Sequence, residues 1–277
     1  SATATIANFT QNGGFNYYNI THSSIVGTAV DSPADIASLQ VAISSNSTDD
    51  NDPAWFNGSA FSAALSDSIY LTTNTYTDNS PGVDDPWSRN LPTSFMQHGK
   101  TYKAKVRTKD LASPQNIRIQ DFTFRYDTLH PTATITSPSA DLSTNVVVTI
   151  AGGVTDDSAA FGISTITISI EKLGGGGTPC YGGASFNQTC PNWLAVTDPD
   201  GDGNWTYAPT WDSGFKYVIT VRALDRAGHT QTIFNVPTSS RSFTYDIAGP
   251  SVDITFPSGA RSRDLTTVTG TAADPVS

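Results

Sequence analysis

Alternating aspartates in a turn are the feature of this sequence best suited to chemistry. The stretch DPDGDG places Asp198, Asp200 and Asp202 at every second position before Gly203, which permits a tight turn. Carboxylates presented in this way can converge on one hard cation such as Ca²⁺. The pattern follows the first half of an EF-hand loop, but Pro209 stands where that loop needs its last glutamate. A calcium-binding loop and a polar turn between two strands both remain open.

Other carboxylates are predicted to reach the same end of the fold. If the strands run up and down in sequence order, the turns holding Asp156, Asp157 and Asp225, and the linker holding Asp127, meet at the pole where the chain enters a domain. Carboxylates crowded there repel one another unless they are separated, hydrated or neutralised by a cation. We therefore expect Ca²⁺ at or beside the domain joins, with a solvated acidic cap as the alternative. The candidate ligands are Asp127, Asp156, Asp157, Asp198, Asp200, Asp202 and Asp225. The first domain offers Asp31, Asp35, Asp84, Asp85 and Asp110 at the equivalent pole.

The two cysteines lie close together, at Cys180 and Cys190, and enclose the Gly-rich stretch YGGASFNQT. Zinc would need two further ligands, and none has the required spacing. A local disulfide is the better prediction, and it implies an oxidising compartment outside the cytoplasm. Closing so short a loop contributes at most about 2–3 kcal/mol, so the bridge is expected to pin an exposed loop.

Asn-x-Ser/Thr sequences occur several times in the chain. Asn57 and Asn187 fall in predicted loops and are the candidates for glycosylation. A chain this rich in Asn, Ser and Thr also produces such sequences by chance.

Composition excludes several classes of protein. The net charge of −10 argues against nucleic-acid binding, which needs basic patches on the protein surface. No apolar run approaches the length of a membrane span. The 277 residues suffice for two ordinary domains, each able to bury a core without metal or disulfide.

The elements that would position these residues are repeated along the chain. FRYDTLHPTATITSP at 124–138 returns as FTYDIAGPSVDITFP at 243–257, and GKTYKAKVRTKD at 99–110 returns as GFKYVITVRALD at 214–225. A Gly stands four residues before an Asp in GTAVD, GGVTD and GTAAD. We predict domains at 1–127 and 128–246, and the first strands of a third at 247–277, in what looks like a segment of a longer chain.

Within each repeat the periodicity is that of half-buried strands. TITISIEK and KYVITVRAL alternate apolar or β-branched residues with polar ones, between clusters of Gly, Pro, Asn and Asp. This rhythm predicts tandem antiparallel β-sandwiches, an all-β fold. In the second domain strands are expected near 132–137, 146–152, 163–171, 192–196, 204–208, 215–223 and 240–245.

These phrases resemble the bacterial immunoglobulin-like (Big-type) repeats of large cell-surface and secreted proteins. The resemblance rests on YDTLHPTATITSP at a domain join, WFNGSAF followed by IYLT, DGDGNWTY, and YVITVRALDRAGH, and it extends over nearly the whole chain. Fibronectin type III modules share the architecture. The resemblance implies tandem immunoglobulin-like domains and an extracellular spacer, stalk, filament, adhesin or surface-layer role.

Functional alternatives remain at this point. Neighbouring domains of the same chain, identical subunits, or a glycan or cell-surface ligand are the expected partners. A carbohydrate-binding accessory module is the alternative, and it would need exposed aromatic residues on one face. Trp87 and Trp205 recur at equivalent places and are expected in the core, and core packing is also the better prediction for Trp193, which aligns with Tyr70. The four histidines lie in different turns without a recognisable catalytic or metal-ligand spacing, so no enzyme activity is expected.

Overall fold

The structure is a computed structural model that describes residues 2–7, 10–12, 15–19, 23–46, 48–79, 82–156, 162–177, 179–196, 203–259 and 265–274. It is all-β, with two short 3-10 helices at Asp67–Ile69 and Thr93–Phe95. Among the described residues, helices of the length and apolarity needed to cross a membrane are absent.

The chain divides into two compact units. The first comprises Ser1–His130 with two short segments, Asp156–Ser164 and Asp225–His229, and the second comprises Pro131–Thr155, Thr165–Leu224 and Thr230–Ser277. Each unit has its own pair of sheets, so each is described separately.

The first unit is a sandwich of two sheets. Its strands are β1 (Thr3–Ala4), β2 (Thr10–Asn12), β3 (Phe15–Asn19), β4 (Ser24–Val30), β5 (Ile36–Ser44), β6 (Trp55–Phe56), β7 (Phe61–Ala63), β8 (Leu71–Thr72), β9 (Thr75–Tyr76), β10 (Asp85–Asn90), β11 (Thr101–Asp110) and β12 (Ile117–Asp127). The small sheet has the order β1-β4-β10-β9, and the large one β2-β3-β12-β11-β5-β6-β7, with β8 beside β5. One hydrophobic cluster joins Ile25 and Trp87 of the small sheet to Val41, Val106 and Phe124 of the large one.

The second unit repeats this strand order without described counterparts of β2 and β9. Its strands are β13 (Thr132–Ser137), β14 (Leu142–Thr144), β15 (Ile150–Thr155), β16 (Ile163–Leu173), β17 (Cys180–Tyr181), β18 (Phe186–Gln188), β19 (Leu194–Val196), β20 (Asn204–Tyr207), β21 (Phe215–Asp225) and β22 (Ser240–Tyr245). The sheets are β13-β15-β20 and β14-β22-β21-β16-β17-β18, with β19 beside β16. The remaining strands, β23 (Ser251–Phe256) and β24 (Thr269–Ala273), form an exposed antiparallel pair.

The all-β, immunoglobulin-like sandwich predicted from the sequence is confirmed. Strand β21 alternates buried Tyr217, Ile219 and Val221 with half-buried residues between them, as its period of two predicts. Among the described strand pairs whose register is resolved, β3 runs parallel to β12 and β14 parallel to β22, and the others are antiparallel.

Two features of the predicted strands are corrected by the structure. The strand predicted at 146–152 is β15, which begins at Ile150, because Val146 and Val147 are exposed rather than packed. Three short strands, β14, β17 and β18, escaped prediction, since two or three residues are too few to display a period.

The repeated glycine is explained by close packing. Gly27 lies against the indole of Trp87 and the carbonyl of Thr5, and Gly152 lies in the same way against Trp205 and the carbonyl of Thr134. A Cβ at either glycine would overlap both neighbours. Trp87 and Trp205 are buried, as predicted.

Candidate functional site

A tight turn after strand β21 holds Asp225 and His229 together. The His229 N–H donates to Asp225 Oδ1 over 2.8 Å, and the Asp225 N–H donates to the His229 carbonyl over 3.0 Å. Gly228 in this turn has a φ of 95°, a conformation that residues other than glycine rarely adopt. The imidazole is thereby fixed with Nδ1 3.0 Å from Asp225 Oδ2.

Asp127, the last residue of β12, completes a buried group that we call the Asp127–Asp225–His229 cluster. Their contacts group all three residues with the first unit, although Asp225 is also the last residue of β21. One ligand atom from each lies within 4.8 Å of the others. Asp127 Oδ1 accepts the Leu129 N–H over 3.1 Å and lies 4.0 Å from His229 Nδ1. Asp127 Oδ2 and His229 Nε2 are buried without a hydrogen-bond partner. Two such atoms in one place are costly unless a further ligand satisfies them.

The electrostatics of the cluster favour added positive charge. Burial raises the pKa of the Asp127 carboxyl, and the carboxylate of Asp225 adds to this effect. The hydrogen bond of its ring to the Asp225 carboxylate raises the pKa of His229 against the opposing effect of burial. Both groups are therefore stabilised in their protonated forms. A bound cation would take the place of those protons, and its affinity would fall as the pH falls.

The donor set indicates which cations fit. Ca²⁺ prefers six to eight oxygen ligands, whereas two carboxylates with an imidazole nitrogen suit Zn²⁺, Mn²⁺ or a similar transition metal. Asp127 and Asp225, both predicted as ligands from the sequence, are brought together here. Asp156 is near enough to raise the pKa of His229 but is not part of the cluster. The predicted ligands Asp157, Asp198, Asp200 and Asp202 lie outside the described residues.

His229 was not predicted as a ligand, because the four histidines lie in different turns of the sequence. The structure brings three of them around Asp127: His98 Nδ1 lies 3.3 Å from Asp127 Oδ1, and the rings of His130 and His229 have centroids 5.2 Å apart. One local signal could have indicated His229 as a ligand. In DRAGH, an Asp and a His stand four residues apart across a turn that contains glycine.

A second acidic group lies elsewhere in the first unit. Ligand oxygens of Asp35, Asp78 and Asp85 lie within 4.8 Å of one another. Buried Asp85 accepts the Tyr76 hydroxyl over 3.1 Å and the Asn79 N–H over 2.7 Å. Desolvation, with the charges of Asp35 and Asp85, raises the pKa of Asp78. Asp35 and Asp85 were both expected at this pole.

The other aspartates expected at that pole have different surroundings. Asp110 holds its own loop, because its carboxylate accepts the Asn116 N–H over 2.8 Å and the Asn116 side-chain amide over 2.7 Å. Asp31 accepts the Ser32 N–H over 2.9 Å, and Asp84 is exposed. None of these three belongs to either group of potential metal ligands found among the described residues.

A second kind of site lies on the outer face of the large sheet of the second unit. Cys180 and Cys190 form a disulfide, with Cα atoms 5.1 Å apart, across the β17–β18 hairpin. Beside it is a groove of about 250 Å³, which we call the Trp193 groove. It is lined by Ser169, Glu171, Cys180, Cys190, Pro191, Trp193, Val218 and Thr220.

Trp193 stands at the groove rather than in the core, which corrects the prediction made for it. It is half-buried, with the guanidinium of Arg222 4.2 Å from its ring centroid and the ring of Phe234 at 6.3 Å. In the first unit Arg107 covers the buried Tyr70 in the same manner, 3.9 Å from its centroid. The aligned aromatics thus share a cation–π contact but differ in exposure.

The two candidate glycosylation sites, Asn57 and Asn187, are exposed. Asn57 Oδ1 accepts the N–H groups of Ser59 and Ala60, each over 2.9 Å, and so organises its turn. Asn187 was predicted in a loop, but it lies on strand β18, beside the disulfide.

Comparison with known proteins adds structural likeness alone. No family model matches the chain, and no curated protein matches it. The fibronectin(III)-like modules of Clostridium thermocellum CbhA align with a TM-score of 0.42 and 11% identity, covering 88% of this chain and 94% of that one. Murine CEACAM1b aligns with a TM-score of 0.28 and 11% identity, covering 88% and 96%. The FN1–FN3 domains of chicken CNTN1 align with a TM-score of 0.28 and 10% identity, covering 91% and 69%. Likeness at this level carries no conclusion about ligand or activity.

Proposed function

We propose that this chain is part of an extracellular structural or adhesive protein, built as a series of immunoglobulin-like sandwiches and stabilised by a bound divalent cation. The observation that carries the proposal is the Asp127–Asp225–His229 cluster, where buried carboxylates and an imidazole converge with two unsatisfied polar atoms. Such a cluster stabilises a fold when it is filled and weakens it when it is empty.

Two further observations support an extracellular setting. The disulfide Cys180–Cys190 persists in oxidising compartments and is rare in the cytosol. The two units share one strand order, which is how spacer and adhesive proteins multiply a single module. A stalk, a filament or a surface layer would each use such a series, and self-assembly of identical chains belongs to the same proposal.

Thermal unfolding tests the cation. We expect a higher melting temperature with excess Zn²⁺, Mn²⁺ or Ca²⁺ than with EDTA. A ligand at one hundred times its Kd stabilises the folded state by about 2.7 kcal/mol. For a unit of this size that corresponds to a rise of roughly 9 °C. The donor set predicts a larger rise with Zn²⁺ or Mn²⁺ than with Ca²⁺.

Asp127→Asn is the diagnostic variant, because it keeps the shape of the side chain and removes the charge. The metal-dependent rise should disappear in this variant and persist in the matched control Asp253→Asn, which alters an exposed carboxylate on β23. Equal melting temperatures with EDTA and with every metal would refute a cation role for the cluster.

A further inference from the structure

The Trp193 groove is specific to the second unit, since the equivalent place in the first unit is filled. Aligning β5 with β16 and β6 with β17 sets Ser44 against Glu171 and Trp55 against Cys180, because Ser44 pairs with Trp55 and Glu171 with Cys180. The Trp55 side chain is fully buried and packs in a cluster with Ala42, Ile69 and Tyr70. Its indole N–H donates to the Asp50 carbonyl over 3.0 Å.

In the first unit, charged side chains cover the position that corresponds to the groove. Lys103 and Lys105, which align with Val218 and Thr220, each place Nζ 2.8 Å from an oxygen of Asp50. The second unit has smaller side chains at the three corresponding positions. Cys180 replaces Trp55, and Val218 and Thr220 replace the two lysines. The sequence thus opens a cavity where the same fold is otherwise solid.

The walls of the groove are pre-organised. The disulfide holds Cys190 and Pro191 against the hairpin, and the Asn192 side-chain amide donates to the Tyr181 carbonyl over 2.8 Å. Arg222 and Phe234 brace the indole of Trp193. A rigid wall lowers the entropy lost when a ligand binds.

The chemistry of the lining favours a ligand with many hydroxyl groups. Trp193 and Pro191 offer apolar surface for C–H groups, while Glu171, Thr220 and Ser169 offer oxygen acceptors and hydroxyl donors. Glu171 forms no salt bridge with any described residue, so its carboxylate would repel an anionic ligand and accept hydroxyl donors from a neutral one.

A peptide would bind this place poorly. Extended peptides gain affinity by pairing with the free backbone of an edge strand. The groove lies over β16, β17 and β21, each of which has a hydrogen-bonded strand on both sides. Its size also points to a small ligand unit, because sites for drug-sized molecules start at roughly 300 Å³.

We propose that the Trp193 groove binds a neutral polysaccharide, with one sugar ring seated between Trp193 and the disulfide and its hydroxyl groups bonded to Glu171 and Thr220. This inference goes beyond the structural role and does not depend on the cation cluster. It would make the second unit an attachment point for a glycan surface.

Affinity electrophoresis through gels containing soluble neutral polysaccharides, namely β-glucan, xylan, mannan and starch, tests the inference on the intact 277-residue chain. We expect retardation by at least one of these four and no comparable retardation by polygalacturonate, the anionic control. Titration with the matching oligosaccharide, followed by NMR chemical shifts or calorimetry, then supplies the Kd.

Thr220→Lys is the key variant, because lysine is the residue that the first unit carries at the aligned position and is compatible with the fold. It should fill the groove and weaken binding at least tenfold, as should Glu171→Gln and Trp193→Ala. Thr206→Lys, on the exposed face of the small sheet, is the matched control and should bind like the unaltered chain.

Circular dichroism of each variant separates lost binding from lost folding, and Thr220→Lys and Glu171→Gln keep the test valid if Trp193→Ala misfolds. Binding that survives Thr220→Lys, retardation by polygalacturonate alone, or retardation by none of the four neutral polysaccharides would each overturn the inference. Selection of peptides in place of sugars from a displayed library would do the same.

Discussion

Gly152 shows how a single residue sets the packing of a whole sandwich. Its missing side chain lets the Trp205 ring and the Thr134 carbonyl approach the backbone of β15, and Gly27 does the same for Trp87 and Thr5. The sequence displays this requirement as a glycine four residues before an aspartate, together with a recurring tryptophan. The physical link between the two appears only when the rings are placed.

We expect Gly152→Ala to lower the free energy of unfolding of the second unit by about 3 kcal/mol, because the added methyl forces the ring or the adjoining strand to move. The neighbouring Gly153→Ala is the matched control, since a Cβ there meets nothing nearer than Thr134 Oγ1 at 3.6 Å. Urea denaturation measures both variants. Equal losses for the two would contradict the packing explanation.

His229 marks the limit of residue-level prediction. Asp127 and Asp225 could be placed at one pole because each ends a strand, and strand ends are legible from periodicity. The imidazole depends on the exact closure of a turn at Gly228, which periodicity does not encode. The sequence therefore yields an acidic, calcium-like site where the described residues form a mixed carboxylate and imidazole one.

At the scale of elements, strand β11 departs from simple alternation because its outer face is also covered. Lys103, Lys105 and Arg107 are all buried there, although they alternate with the residues that face the hydrophobic core. Asp50 bridges the two lysines, and Asp121 pairs with Lys105 over 2.7 Å. A loop that supplies counter-charges turns a solvent face into a second, polar core.

This ion cluster predicts a pH dependence of stability. Burial alone would raise the pKa of Asp50, but the hydrogen bonds from Lys103 and Lys105 outweigh it and hold the pKa below the usual 3.8. A depressed carboxyl pKa contributes stability that is fully present above 3.8 and is lost as the pH falls through the lower, folded-state value.

Asp50→Asn should therefore cost about 1 kcal/mol at pH 7, a figure that allows for the partial exposure of the pair. The difference from the unaltered chain should shrink as the pH falls below 3.8 and vanish once the native carboxyl is protonated. Asp67→Asn is the control, because that carboxylate pairs with Arg107 but its side chain is 90% exposed. Denaturation curves collected from pH 2 to pH 7 settle the matter, and a cost independent of pH would argue against the ion pairs.

The Trp193 groove could not be predicted from the strand pattern, because it too depends on residues that are distant in sequence. Alignment of the repeats pairs Tyr70 with Trp193, but whether that aromatic is covered depends on what fills the adjacent space. Trp55 fills it in one unit and the Cys180–Cys190 disulfide leaves it open in the other. A cavity forms where side chains from several distant strands together leave space unfilled, and no local sequence pattern shows this.

At the scale of the whole molecule, the repetition of one strand order predicts mechanical behaviour. Each unit buries its own aromatic residues, Trp87 and Phe124 in the first and Trp205 and Phe243 in the second. A domain with its own core unfolds as one cooperative event. Stretching the chain by its ends in single-molecule force measurements should therefore give two main events, each releasing roughly 40 nm of chain at about 0.36 nm per residue.

Gly152→Ala assigns the events to the units, because it weakens only the packing of Trp205. The force of one event should fall while the other stays unchanged, since Trp205 packs in the second unit. A single event that releases the whole chain, or an equal fall in both forces, would show that the two sandwiches do not act as separate mechanical modules.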